Sequence, residues 1–153
     1  MAEIILSEDL IALGITLEKK EEVIKVLADK LKAKGYVKDG YYENVVSREE
    51  KFPTGLPTII PVALCHTEAQ FVNQSALAVG TMAHPVEFCE MGTPERNIKA
   101  EIIFLLALND PKDQVGWLKK MVTVFKSKET LEAIRDATDK TVLIELLKRI
   151  FLV

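Results

Sequence analysis

The sequence predicts an α/β sandwich formed as a single domain over residues 1–153. Three observations lead there. An amphipathic helical pattern comes early, with Leu17, Val23, Ile24, Leu27 and Leu31 on one stripe. The central segments "ALAVGTM" and "IIFLLAL" are apolar on both alternations, as strands covered on two faces are. Helical patterns then return and close the chain, so helices stand on either side of a buried strand core in sequence.

Each element has its own signal. "EIILSEDL" reads as a short strand leading to a turn. A helix follows from about Leu17 to Lys34, with Thr16 as N-cap and Gly35 as its stop. A shorter helix from about Gly40 to Glu49 turns Tyr42, Val45 and Val46 inward. Phe52 to Leu56 holds a proline and a glycine and reads as loop. Strands are expected at Val62 to Cys65, Ser75 to Met82 and Ile98 to Leu108, with a shorter one through Val86 to Phe88. His84, before Pro85, falls in an exposed loop between two of them. "NDPKDQVGWLKKMVTVF" opens a helix: Asp110 caps, Pro111 suits the first turn, and Val115, Leu118, Met121, Val122 and Phe125 form the buried stripe. Trp117 reads as packing or as a partly exposed anchor. Ser127 and Asp139 cap two closing helices, the second carrying Val142, Leu143, Leu146, Leu147 and Ile150.

Composition narrows the function. The formal charge is −3, so no overall basic field invites nucleic acid. The longest apolar run, Ile102 to Leu108, falls far short of the ~18 residues a membrane helix needs, so no direct membrane insertion is expected. The N-terminus has no basic region of the secretory type. Two cysteines make no disulfide framework, and a cytoplasmic location is expected.

The chain has two histidines, and their settings differ. Cys65, His66, His84 and Cys89 could ligate zinc, but an extended strand turns Cys65 and His66 to opposite faces, and no metal-type spacing is present. Cys65 as a nucleophile paired with His84 is a second reading, against which a cysteine at a strand end is commonly a small buried hydrophobe. His66 ends an expected strand just before a polar segment, a common functional position in α/β sheets. Arg48 precedes the loop into that strand, and arginine suits bidentate phosphate contact. Gln114 lies in the first turn of a helix, whose free N–H groups favour an anion. Together they suit the holding of a phosphoryl group better than hydrolysis. A purely structural histidine is the other reading, and the residues alone leave both open.

The stretch "SREEKFPTGLPTIIPVALCHTEAQFVNQSALAVGTMAHPVEFCEMG" resembles the enzyme IIA domains of the bacterial sugar phosphotransferase system. The resemblance is to the fructose–mannitol superfamily and, within it, the galactitol-like branch. It is carried by Arg48-Glu49, Thr54-Gly55, Ala63-Leu64-Cys65-His66, Pro85-Val86-Glu87-Phe88, Met91-Gly92 and the Gln114 to Leu118 helix start. It covers roughly Glu3 to Leu147. The resemblance implies a mixed β-sheet with helices on both faces, and residues 1–153 as one phosphocarrier domain. It implies that His66 takes a phosphoryl group from the phosphohistidine of HPr and gives it to a cysteine of enzyme IIB, in uptake of a galactitol-like sugar or polyol. Arg48 would assist the phosphohistidine, and Gln114 would donate a hydrogen bond. No cofactor or metal is implied. Phe52, Leu56 and Phe71 are expected on an apolar docking rim.

Two positions depart from the family pattern. Cys65 stands where proline is usual, which frees φ and restores a backbone N–H. Gln114 stands where the fructose and mannitol branches carry a second histidine, and glutamine cannot become cationic. A regulatory binding module of the same fold, not coupled to transport, is the alternative reading. An unrelated enzyme with Cys65 as nucleophile is a third.

Overall fold

A computed structural model describes residues 3–152 of the chain. A mixed five-stranded sheet is covered by helices on both faces, as expected. Its strands are β1 (Ile11–Ile15), β2 (Gly55–Leu56), β3 (Val62–His66), β4 (Ala76–Glu90) and β5 (Thr93–Ala107). The helices are α1 (Lys20–Ala33), α2 (Tyr41–Lys51), α3 (Gln114–Val124), α4 (Lys128–Arg135) and α5 (Lys140–Phe151).

β4 and β5 form a long antiparallel hairpin, in register from Ala76↔Ala107. β1 runs parallel to β4, and β3 runs parallel to β5, ending at His66↔Leu106. The two-residue β2 pairs antiparallel with β3 at Gly55↔Ala63 and also reaches the far end of β4 at Gly55↔Glu90.

Strand alternation decides what each face of the sheet carries. Val62 and Leu64 of β3, with Ile102, Phe104 and Leu106 of β5, pack under α3, α4 and α5. Ala63 and Cys65, with Ile103 and Leu105, pack under α1 and α2. His66 is in phase with Val62 and Leu64, so it falls on the α3 side of the sheet, at the C-terminal end of β3. Because β3 and β5 are parallel, that end lies beside the end of β5, from which the chain passes to α3.

Several elements depart from the sequence reading. Ile5 makes only an isolated bridge to Ala76; Glu8–Leu10 is a 3-10 turn, and the first strand comes afterwards at Ile11–Ile15. Gly14, at φ 64°, interrupts the alternation that would have marked that strand. Thr16 is not a cap: α1 starts after Lys19, whose backbone N–H donates to Glu22 Oε1 at 3.3 Å. The α1 stop is as expected. Gly35, at φ 76°, donates to Lys32 O at 2.9 Å and Tyr36 donates to Leu31 O at 3.1 Å, a paired C-terminal cap that only a left-handed residue allows cheaply. The Val86–Phe88 strand is the continuation of β4 beyond an irregularity between Thr81 and Val86, so His84 is exposed within a strand and not in a loop.

The stripe of α3 is also rotated. Trp117, Met121 and Phe125 face the core, while Val115 and Val122 are 67% and 40% exposed. A buried aromatic removes about 150–250 Å² from water, more than valine can offer, so packing selects the Trp117 face. On α5 the buried residues are Leu143, Ile144, Leu147 and Phe151, with Val142 outside.

Gly55 lies in the expected loop, yet it is strand, and it lies close against the backbone of β4. A Cβ there would stand 2.5 Å from the Cys89 carbonyl oxygen and 2.8 Å from Ile98 Cγ1. Gly55→Ala is therefore expected to cost about 1–3 kcal/mol by overpacking, read as a lower urea midpoint with an unchanged slope.

Candidate active site

His66 is 8% exposed. Its Nδ1 lies 2.9 Å from the Leu64 carbonyl oxygen. A carbonyl only accepts, so Nδ1 carries the proton and donates, and Nε2 is left with the free lone pair. Burial holds the imidazole pKa below its ordinary value; the Leu64 bond opposes this, and the positive Arg48 adds to it. The ring is thus held neutral at neutral pH, with Nε2 left as its bare nitrogen by the bond to the strand that carries it.

Arg48 sits in the last turn of α2. Its Nε is buried and has no hydrogen-bond partner among the described residues, and its guanidinium carbon lies 5.3 Å from the centre of the Phe52 ring. No carboxylate pairs with it among the described residues, because neighbouring Glu49 is turned inward to Thr54. Arg48 therefore keeps its charge for its surroundings. It lines a polar cleft of about 150 Å³ together with Ser47, Lys51, Phe52 and Thr67, the residue after His66.

His66 itself lines a larger groove of about 580 Å³. The groove is walled by Leu64, Met91, Val115, Leu118 and Val122, with Lys119 and Lys126 also on its lining. Of the residues expected on a docking rim, Phe52 is 61% exposed beside Arg48 and lines the cleft, not the groove. Leu56 and Phe71 are partly buried against the α3-side and α1-side cores and line neither. The apolar α3 residues on the groove are ones the sequence places in the buried stripe. Their signal was present: α3 has more apolar residues than one face can bury, and Val115, Leu118 and Val122 form a second stripe at steps of three and four.

Gln114 is the first residue of α3, one turn before Leu118, and its side chain makes no hydrogen bond among the described residues. The helix start is less suited to an anion than the sequence suggests. Asp110 already accepts from Lys112 N at 2.9 Å, and Asp113 immediately precedes the helix. Gln114 lines neither the His66 groove nor the Arg48 cleft; α3 enters the groove at Val115.

The remaining readings fare differently. Cys65 is fully buried on the opposite face from His66, and burial pushes its thiol well above the ordinary range, which leaves a poor nucleophile. Among the described residues no group of three His, Cys, Asp or Glu side chains could hold a metal ion. No helix among them is long and apolar enough to cross a membrane.

Comparison with known proteins bears on the site now described. Over 91 residues the chain is 33% identical to the transcriptional regulator ManR of Bacillus subtilis, covering 60% of this chain and 13% of that protein. It is 23% identical over 122 residues to the galactitol-specific EIIA component of the phosphotransferase system of Escherichia coli K12, covering 79% of this chain and 81% of that one. The chain thus spans a small part of the first relative and most of the second.

Among solved structures, the complex of mannitol enzyme IIA with phosphorylated mannitol enzyme IIB from Escherichia coli is similar at 22% identity, with a TM-score of 0.78 and coverage of 96% and 99%. The nitrogen regulatory protein IIA-Ntr of Neisseria meningitidis is similar at 22% identity, with a TM-score of 0.73 and coverage of 94% and 96%. At these identities the likeness is one of fold. Residues 4–150, which include β3, the α2 end and α3, match the family described as phosphoenolpyruvate-dependent sugar phosphotransferase system, EIIA 2, and the chain belongs to that family.

Proposed function

We propose that this chain is a cytoplasmic phosphocarrier that accepts a phosphoryl group from the phosphohistidine of an HPr-type protein on His66 Nε2. It then passes the group to a cysteine of an enzyme IIB. The observation that carries this reading is the Leu64 carbonyl 2.9 Å from His66 Nδ1, which leaves Nε2 as the bare nitrogen near an unpaired arginine. Family membership and the galactitol-specific relative support a role in sugar or polyol uptake. The mannitol IIA–IIB complex among similar folds supports an enzyme IIB as acceptor.

The Nε2 lone pair attacks phosphorus as the bond from phosphorus to the donor imidazole breaks, and the donor ring leaves neutral. The His66 ring, now bonded at both nitrogens, carries positive charge. The Leu64 carbonyl stabilises it through the retained Nδ1–H. Phosphoryl transfer asks chiefly for positioning and charge stabilisation. Arg48 offers the cation for the equatorial oxygens, with its buried Nε as one donor, and Gln114 offers a neutral donor. In the second step the acceptor thiolate attacks, the N–P bond breaks, and His66 returns to its neutral form.

The groove gives the donor and acceptor a surface. An apolar wall beside the reactive ring suits transient protein docking, and Lys119 and Lys126 add positive charge at its edge. Val122→Asp, on the exposed side of α3, is expected to leave the fold intact. It should raise the KM for the phospho-donor about tenfold or more, with the rate at saturation little changed.

A regulatory role is the second reading, favoured by the similarity to ManR and to IIA-Ntr. One experiment separates the two. The chain is labelled with acid-labile phosphate from a phospho-HPr donor, then offered enzyme IIB. Label that moves to the IIB cysteine supports transport. Label that stays on His66 with every IIB of the source organism supports regulation.

A further inference from the structure

The motif residues are joined by hydrogen bonds that end on a buried carboxylate. His66 Nδ1–H donates to Leu64 O at 2.9 Å. Leu64 N–H donates to Thr54 O at 3.4 Å. Thr54 N–H and Oγ1–H donate to the two oxygens of Glu49, at 2.8 Å and 2.7 Å. The Cys65 thiol lies 3.8 Å from Thr54 Oγ1 and completes the surroundings. Glu49 is buried in the last turn of α2, next to Arg48. These contacts tie the imidazole to Leu64, Leu64 to Thr54, and Thr54 to a carboxylate adjoining the arginine.

We propose that Glu49 is a positioning residue for the His66 reaction, acting through Thr54 and the Leu64 peptide to hold the imidazole with Nδ1 protonated and Nε2 free. The N–H and C=O of Leu64 belong to different peptide units, as do those of Thr54, so these bonds act by fixing positions: the Glu49 carboxylate holds Thr54, and Thr54 O holds the Leu64 N–H. The same carboxylate fastens the end of α2 to the segment leading into β3, which fixes Arg48 relative to His66. A fully buried carboxylate is costly unless its lone pairs are satisfied, and Thr54 supplies two donors. Cys65 lacks the fixed φ of a proline, so orientation at the end of β3 depends more heavily on these bonds.

The proposal rests on His66 as the phosphoryl acceptor, and its test has a readout that does not. Thr54→Val removes the hydroxyl and keeps the shape, Glu49→Gln keeps the volume and replaces one of the two acceptor oxygens with an amide donor, and Thr54→Ser retains the hydroxyl. In each, phospho-donor kinetics are measured together with the His66 ring-nitrogen NMR shifts, which report the Nδ1–H fraction. Thr54→Val and Glu49→Gln are expected to slow acceptance about tenfold at saturating donor, with unchanged KM. Their Nδ1–H fraction should fall, and Thr54→Ser should behave as the parent. Folded variants with parental rate and parental tautomer would overturn the proposal and leave Glu49 a stability residue. Should the parent chain take no phosphate, the phosphocarrier reading falls, and the tautomer shifts alone decide the positioning role of Glu49.

Discussion

His66→Ala is expected to take no acid-labile phosphate from a phospho-HPr donor, where the parent chain takes one group. The loss should be complete because nothing else in the site can replace the ring. His84, the other histidine, lies exposed within β4 and lines neither the groove nor the Arg48 cleft. Cys65 is buried on the other face with its thiol held protonated. His66→Gln serves as a second variant, since it keeps a polar side chain at the end of β3 and separates chemistry from packing. Label that persists in both folded variants would remove His66 from the mechanism.

The same variants carry a pH signature. Burial, with Arg48 adding to it and the Leu64 bond opposing, sets the native pKa below the ordinary 6.5. The unfolded chain therefore binds this proton first as the pH falls, and His66 lowers parental stability progressively below pH about 6.5. His66→Ala lacks that loss, so the stability gap between parent and variant should shift in the variant's favour between pH 7 and pH 5. For reactivity the sign runs the other way. A depressed pKa keeps Nε2 unprotonated further into acid than a free imidazole, so acceptance by the parent should persist at pH about 6.

The layers of the fold were legible because buried strands and amphipathic helices leave strong periodicities. The doubly apolar segments of β4 and β5 and the stripe of α1 predict a sheet with helices on two faces. What failed was local. Thr16 looked like a cap, but the chain runs on to Lys19 before turning helical. Gly55 read as loop because its type permits a turn; its real role, a close approach to the Cys89 carbonyl, depends on a strand more than thirty residues away and leaves no local mark. At the candidate site, residue type and place single out His66 and Arg48 as candidates, while the residues alone leave a structural histidine equally open. The groove was hidden because Val115, Leu118 and Val122 look like core when α3 is given one apolar stripe. The role of Glu49 was equally hidden: an acid next to an arginine suggests an ion pair, whereas here the carboxylate turns inward to Thr54.

Arg48→Ala is expected to slow phosphoryl acceptance by His66 about 10²–10³-fold at saturating donor, the range for removing one preorganised charge-stabilising donor. The argument is electrostatic. Charge spreads over the phosphoryl oxygens as the group transfers, and Arg48 is the cation whose field already reaches the ring, since it lowers the His66 pKa. The buried, unpartnered Nε means that desolvation is in place before the phosphoryl group arrives. Removing the charge should also move the His66 pKa upward, though not back to the free value, because burial is the larger cause and remains. A lower rate together with a higher ring pKa is therefore the expected pair of results. Arg48→Lys should restore charge without the planar donor geometry and recover the pKa more fully than the rate. Rates equal to the parent in a folded Arg48→Ala protein would leave the Leu64-held imidazole as the sole source of transfer and end the role given to the guanidinium.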